Sequence, residues 1–325
     1  MEPATTLVGI ARLAAQGDLL AEKRRVEYRT LPTRKWLNRC TSRRVPFTWT
    51  INPYRGCEFG CKYCYARFTH RFMERHEPEA FETEIYAKDW DPAAFARELR
   101  VVRPGHVIGL GTATDPYQPA EPKYGRTRQV LESLLGISGT SLFVTTKSDL
   151  VPRDADLLRK LAEVNRVRVS ITITTLDSAL ARQLEPFAPR PDLRLKAVSK
   201  LASAGVPTGV LGSPVLPLLT DSEENLLSVA KAARDAGGSY FSAGVLFLKP
   251  EAQRVFFPFL QQEYPEYLSR YRKAYQDTPF LRHAYTNAIT RRVEKVRCAA
   301  GLSVRDPVFE QNRVIELAPA QLHLF

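Results

Sequence analysis

No apolar run in this chain approaches the roughly 20 residues a membrane helix needs, so no membrane partner is expected. The stretch from Met1 to Gly17 lacks a basic start, an apolar centre and a small-residue cleavage site. A cytoplasmic location is the expectation. Cysteine is scarce, with five in all; an odd count without a secretory leader argues against a disulfide framework. Internal repeats and low-complexity tracts are absent, which removes solenoid architectures. Acidic residues are outnumbered, 35 against 47 Lys and Arg, leaving a net charge of +12 and a pI near 9.6. An anionic partner suits that balance.

What remains is ordinary globular material, 44% hydrophobic over 325 residues. That length accommodates one large α/β domain with appendages, or two ordinary domains. Residues 1–45 form a first region, a basic N-terminal arm. Val8 to Leu20 suggests a short helix. Beyond it Lys23, Arg24, Arg25, Arg29, Arg34, Lys35, Arg39, Arg43 and Arg44 face only Glu22 and Glu27. With little core-forming periodicity, this stretch is expected to wrap the surface.

Residues 46–250 carry a β/α rhythm. Apolar or β-branched runs at Thr48–Asn52, Val107–Gly111, Leu142–Thr146, Val167–Thr174, Pro207–Gly212 and Tyr240–Leu248 predict six strands. Helical stripes fall between them. Asp154 is the expected N-cap before Leu157, Leu158 and Leu161, and Gly205 the expected stop after Leu195, Val198 and Leu201. Asp221 with Glu224 reads as a capping box. Strands alternating with helices imply a parallel sheet, here a partial (β/α)6 TIM-type barrel whose working face is at the strands' C-terminal ends. Residues 251–325 mix Phe and Tyr with Arg and Lys, and are expected to form a helical C-terminal cap.

The segment Gly56-Cys57-Glu58-Phe59-Gly60-Cys61-Lys62-Tyr63-Cys64-Tyr65 spaces three cysteines as C-x3-C-x2-C after the first predicted strand. Thiolates at that spacing on a tight loop can converge on one [4Fe-4S] cluster. Three cysteines leave one of its irons without a protein ligand, open to a small chelator carrying amine and carboxylate. Two other readings compete. One is a zinc site completed by His70 or Cys298; the other is a structural or electron-transfer cluster.

This pattern resembles the radical S-adenosylmethionine (SAM) superfamily, whose signature is this spacing after the first strand of a partial barrel. The likeness covers roughly residues 46–250. It implies a [4Fe-4S] cluster on Cys57, Cys61 and Cys64, S-adenosyl-L-methionine as cofactor and reductive cofactor cleavage followed by hydrogen abstraction. It also implies a flavodoxin- or ferredoxin-type one-electron reductant. Tyr63 matches an aromatic packed near the adenine. Within the superfamily the chain is similar to the spore photoproduct lyase and "DNA repair photolyase"-like branch. Tyr65 matches the tyrosine after the third cysteine, and Gly109 to Pro119 matches the second-strand motif, bringing Thr112 and Asp115 toward the cofactor. Lys147 is implied near the cofactor carboxylate, and Ser170, with Thr172 and Arg194, near carboxylate and ribose. Glu185 is implied either to orient Arg194 or to satisfy a loop. Pro214 to Pro217 is implied against the adenine. Tyr65 and Tyr117 are implied to face the substrate.

One departure matters. The lyase quenches its product radical with a cysteine shortly before the position of Asp115, where this chain has Thr112-Ala113-Thr114. A threonine O–H is too strong a bond for that role, which leaves Tyr65, Tyr117 or Cys298 as candidate donors. Cys40 and Cys298 otherwise read as plain buried thiols. Net charge and the aromatic–basic C-terminal region point to a nucleic-acid substrate. A peptide or small metabolite, or a cluster-bearing binding protein without turnover, are the other readings.

Overall fold

Each predicted β-branched run lies in one sheet. A computed structural model of the protein describes residues 7–302, apart from 24, 34, 43 and 44. Arg24, Arg34, Arg43 and Arg44 of the expected arm, and the cap beyond 302, lie outside the described residues. The strands are β1 (Leu19–Lys23), β2 (Val26–Leu31), β3 (Leu37–Arg39), β4 (Trp49–Ile51), β5 (Tyr54–Arg55) and β6 (Glu84–Lys88). They continue with β7 (Val107–Leu110), β8 (Ser141–Thr146), β9 (Arg166–Thr172), β10 (Thr208–Leu211) and β11 (Phe241–Ser242).

The larger sheet has the order β11-β10-β9-β8-β7-β4-β3. From β4 to β11 every neighbouring pair is parallel, and only β3 runs antiparallel at the edge. The six parallel strands are thus laid down in chain order, and β4 and β11 do not pair. The sheet is open. The last run is shorter than expected: only Phe241–Ser242 is strand, with an isolated bridge from Val245 to Val215.

Alternation along the strands sorts the side chains. Ile108, Leu110, Leu142, Val144, Val167, Val169 and Ile171 pack with Val130, Leu158, Leu161, Val198 and Leu201 of the intervening helices. Each such fully buried aliphatic chain contributes about 1.5–3 kcal/mol. On the opposite face, Phe47, Val107 and Phe143 cluster at the strands' N-terminal halves. Beside them Arg168 lies 3.4 Å from the centre of the Tyr240 ring. Gly205, with φ +76, follows the helix Pro191–Ser203 as its stop.

Two helix starts differ from expectation. Asp154 makes no cap bond, because Arg128 and Arg153 hold its buried carboxylate at 2.7 Å each. Charge pairing outcompetes capping there. Ser222, not Asp221, caps Glu223–Asp235 by accepting from Asn225 N at 3.1 Å, and Asp221 accepts from the Tyr285 hydroxyl at 2.7 Å.

The expected surface arm is corrected as well. Its strands β1 and β2 join β6 and β5 in a second, four-stranded sheet. Tyr28, Leu31, Trp36 and Leu37 are buried, and Trp36 meets Trp90 edge-on at 5.0 Å. Few apolar residues are needed where strand pairing already satisfies the backbone. The short helix near the start runs Gly9–Ala15. Three helices follow the larger sheet, Pro250–Glu263, Pro265–Ala274 and His283–Ala299. Tyr271 and Tyr275 tie them to the loops after β10 and β11, donating to Pro217 O at 2.6 Å and Leu246 O at 2.9 Å.

Candidate active site

The loops that leave the C-terminal ends of β4, β7, β8 and β9 meet at one place. The cysteine loop follows β4 and β5 and is held from three sides. Cys57 N donates to Phe81 O at 2.9 Å and Lys62 N to Leu184 O at 2.9 Å. Gln118 donates to Gly56 O at 3.0 Å and accepts from Glu58 N at 3.1 Å. Gly56 has φ +82, and a Cβ there would lie 2.8 Å from the carbonyl oxygens of Phe81 and Glu84. Only glycine fits that approach.

Cys57 and Cys61 are buried and Cys64 is half-buried, all as free thiols. Burial pushes the Cys61 thiol up to about 12. Burial, then the charges of Asp115 and Cys61, push Cys57 well above its usual value. Thiolates here therefore need a strongly cationic partner. Among the described residues, no three His, Cys, Asp or Glu side chains close on a single ion's position. Ligands of an iron–sulfur cube sit on different irons, so three cysteines on one loop fit that cluster. The zinc alternatives lose their fourth ligand. His70 is buried with Nε2 3.0 Å from Glu84 O, and Cys298 is exposed on the helix His283–Ala299. Exposed Cys298 and half-buried Cys40 also correct the expectation of buried thiols.

A charged network abuts Cys61. Tyr63 donates its hydroxyl to Glu185, whose other oxygen pairs with Arg194 at 2.5 Å. Arg194 is buried, donating to Pro189 O at 2.6 Å and to Thr172 O at 3.0 Å. Burial would raise Glu185, but Arg194 and Lys147 outweigh it and hold its carboxyl below the usual range. Lys147 Nζ lies 5.6 Å from the centre of the Tyr63 ring. Burial opposes its charge, yet Cys61 and Glu185 hold its pKa above the usual value. Lys147, Tyr63 and Arg194 are thus brought together, with Glu185 orienting Arg194 as one of its two readings has it.

The other sequence candidates are placed differently. Asp115 is buried, accepting from Thr146 Oγ1 at 2.6 Å, Tyr117 N at 2.9 Å and Lys147 N at 2.7 Å. It pins one loop to the end of β8. Gly111, with φ +84, lets Pro116 fold back above it. Thr112 bonds Asn52 at 3.1 Å through its side chain, and its carbonyl accepts the Tyr65 hydroxyl. Tyr65 is 42% exposed at the mouth. Tyr117 is a correction: at 1% exposure it packs in the main core, with Arg153 over its ring. The backbone turn held by Asp115 aims its ring inward. Ser170 is engaged too, its hydroxyl 2.7 Å from that of Tyr240, one layer below Thr172. Asn52 and Gln118 were missed; their signal was a polar residue at a strand end and inside the Asp-Pro-Tyr-Gln motif.

The family model of the radical SAM superfamily matches residues 51–230. The chain belongs to the radical SAM superfamily. Radical SAM proteins use a [4Fe-4S] cluster and SAM, so both are this chain's cofactors. An uncharacterized protein of Mycobacterium tuberculosis strain H37Rv is 34% identical over 288 residues, 86% of this chain and 83% of that protein. One from Methanocaldococcus jannaschii is 30% identical over 223 residues, 67% of this chain and 77% of that protein. Among solved structures, a spore photoproduct lyase variant with bound AdoMet and dinucleoside spore photoproduct aligns with TM-score 0.55 at 17% identity. It covers 81% of this chain and 76% of the lyase. At that identity the likeness is one of fold.

Proposed function

We propose that this radical SAM protein cleaves SAM reductively and removes a hydrogen atom from a nucleic-acid substrate, in a partial barrel formed by the six parallel strands. The reading is supported above all by one juxtaposition: the three-cysteine loop and the Lys147–Tyr63–Glu185–Arg194 network meet at the same strand ends. When bound, cluster and SAM together supply the one-electron chemistry that attacks an unactivated C–H bond. The chain's residues have simpler tasks. Lys147 places positive charge beside Cys61, suited to a carboxylate. Glu185 and Arg194 hold the Tyr63 ring in one orientation. Asn52 and Asp115 fix the loop after β7, and Tyr65, tied to Thr112, stands at the substrate side. The reductant is of flavodoxin or ferredoxin type, and the location cytoplasmic. The division into 1–45, 46–250 and 251–325 assigns the last segment to closing the site.

The nucleic-acid reading is supported by the net charge of +12 and by the fold shared with a lyase crystallised with a dinucleoside photoproduct. Anaerobic reconstitution followed by assay of 5′-deoxyadenosine tests it. Oligonucleotides are expected to stimulate release above the substrate-free rate. Stimulation by a peptide or metabolite pool alone would move the substrate to those classes, and no cleavage under strong reductant would leave a binding protein.

A further inference from the structure

Aromatic rings from three distant parts of the chain meet beside the cysteine loop. Tyr65 directly follows Cys64, and its ring centre is 6.2 Å from that of Phe247. Phe247 lies 4.6 Å from Phe280, their planes only 25° apart. Lys249 Nζ sits 3.4 Å from the centre of the Phe68 ring and 5.9 Å from that of Phe247. None of these side chains belongs to an apolar core cluster among the described residues. Phe247 falls between fully buried Leu246 and Leu248, so the extended chain turns it the other way.

Charge accompanies the rings. Arg282, two positions after Phe280, is exposed, and with exposed Arg270 it lines a cavity of about 220 Å³ between the loop after β10 and the C-terminal helices. Phe247 and Phe280 turn their facing sides to each other, so a base joins at the end of that stack, and any base serves because every base has a π-face. Cations flanking such rings suit phosphates rather than an uncharged side chain.

We infer that Tyr65, Phe247 and Phe280 form a stacking ledge for an unpaired base, with Lys249 and Arg282 meeting the flanking phosphates of a single-stranded or locally opened nucleic acid. The inference rests on the nucleic-acid reading above and names where that substrate is gripped. The ledge begins one residue from the third cysteine, which brings the stacked base or its neighbour to the reactive end of the strands. Phe247 and Phe280 contribute affinity; neither donates nor accepts a proton.

The test uses reconstituted full-length protein and a single-stranded DNA of about 12 nucleotides, near the upper end of single-fold site sizes, carrying a central 2-aminopurine. Anisotropy gives the affinity, and quenching of the fluorescent base reports stacking. Phe280→Leu and Phe247→Leu keep volume and lose the π-face. Each is expected to weaken binding about tenfold and abolish quenching, while Phe280→Tyr retains both. Lys249→Gln is expected to flatten the dependence of log affinity on log salt by about 0.7. Thermal midpoints of all variants check folding; should Phe247→Leu unfold, the Phe280 pair decides alone. Leucine variants that bind and quench like wild type would overturn the ledge and leave the nucleic-acid reading standing. Wild type that binds and quenches, yet shows no oligonucleotide-stimulated cofactor cleavage, would overturn that reading and leave the ledge as a binding surface. No affinity of wild type for any oligonucleotide, or displacement by peptides alone, would overturn both.

Discussion

The two ends of the same parallel strands differ in how much charge they bury. At the N-terminal half, Phe47, Val107 and Phe143 form an apolar plug, and the buried Arg168 beside it is laid over the Tyr240 ring. At the C-terminal ends, Asp115, Thr146, Lys147, Glu185 and Arg194 exchange hydrogen bonds and charge around three thiols. One end contributes stability through excluded water and dispersion. The other burdens the fold with buried charges that must stay paired. A single sheet carries both because side-chain alternation is independent of position along the strand.

This contrast is easiest to break at its functional end. Cys61→Ala should remove the brown cluster absorbance and SAM cleavage to below detection, while the circular dichroism of the folded chain persists. Retained cleavage would remove Cys61 from the ligand set. Phe143→Ala strikes the other end and should cost about 3–5 kcal/mol in urea unfolding, with iron content per folded molecule unchanged. Loss of iron before any loss of stability would show that the plug serves the site directly.

Acid sharpens the comparison at a third place. Burial pulls His70 down from 6.5 to about 4, so the native state keeps it neutral. Between those values the unfolded chain binds more protons, and stability therefore falls as pH drops from about 6.5 to about 4. The loss is on the order of 3 kcal/mol when complete. His70→Gln should flatten that limb of the stability–pH curve, and an unchanged slope would assign it to other groups. The smallest effect expected is that of Ser222→Ala, about 1 kcal/mol from the lost N-cap, read from the urea midpoint with cluster content intact.

The sheet was legible because β-branched runs were separated by amphipathic stripes, and the cluster loop because cysteines are rare and close in sequence. What escaped was decided mostly by partners far along the chain. Asp154 looked like a cap, but Arg128 arrives from another helix and joins the adjacent Arg153 in claiming its carboxylate. The arm looked polar because its strands bury few residues, and β6, which completes its sheet, lies beyond the cysteines. Tyr117 sits in a motif that approaches the site, yet its ring points into the core. Ser170 lies on the expected strand, but its hydroxyl is engaged by that of Tyr240, a partner from a later strand's start. Phe247 and Phe280 carry no local signal; only tertiary contact stacks them.

One apolar cluster runs without interruption from Cys57, Phe59, Cys61 and Tyr63 to Phe256, Leu260, Tyr271 and Tyr275. The burial of Cys57 and Cys61 is therefore completed in part by helices from the far end of the described chain. A substitution there can change how open the thiols are, without touching the loop that carries the sulfur.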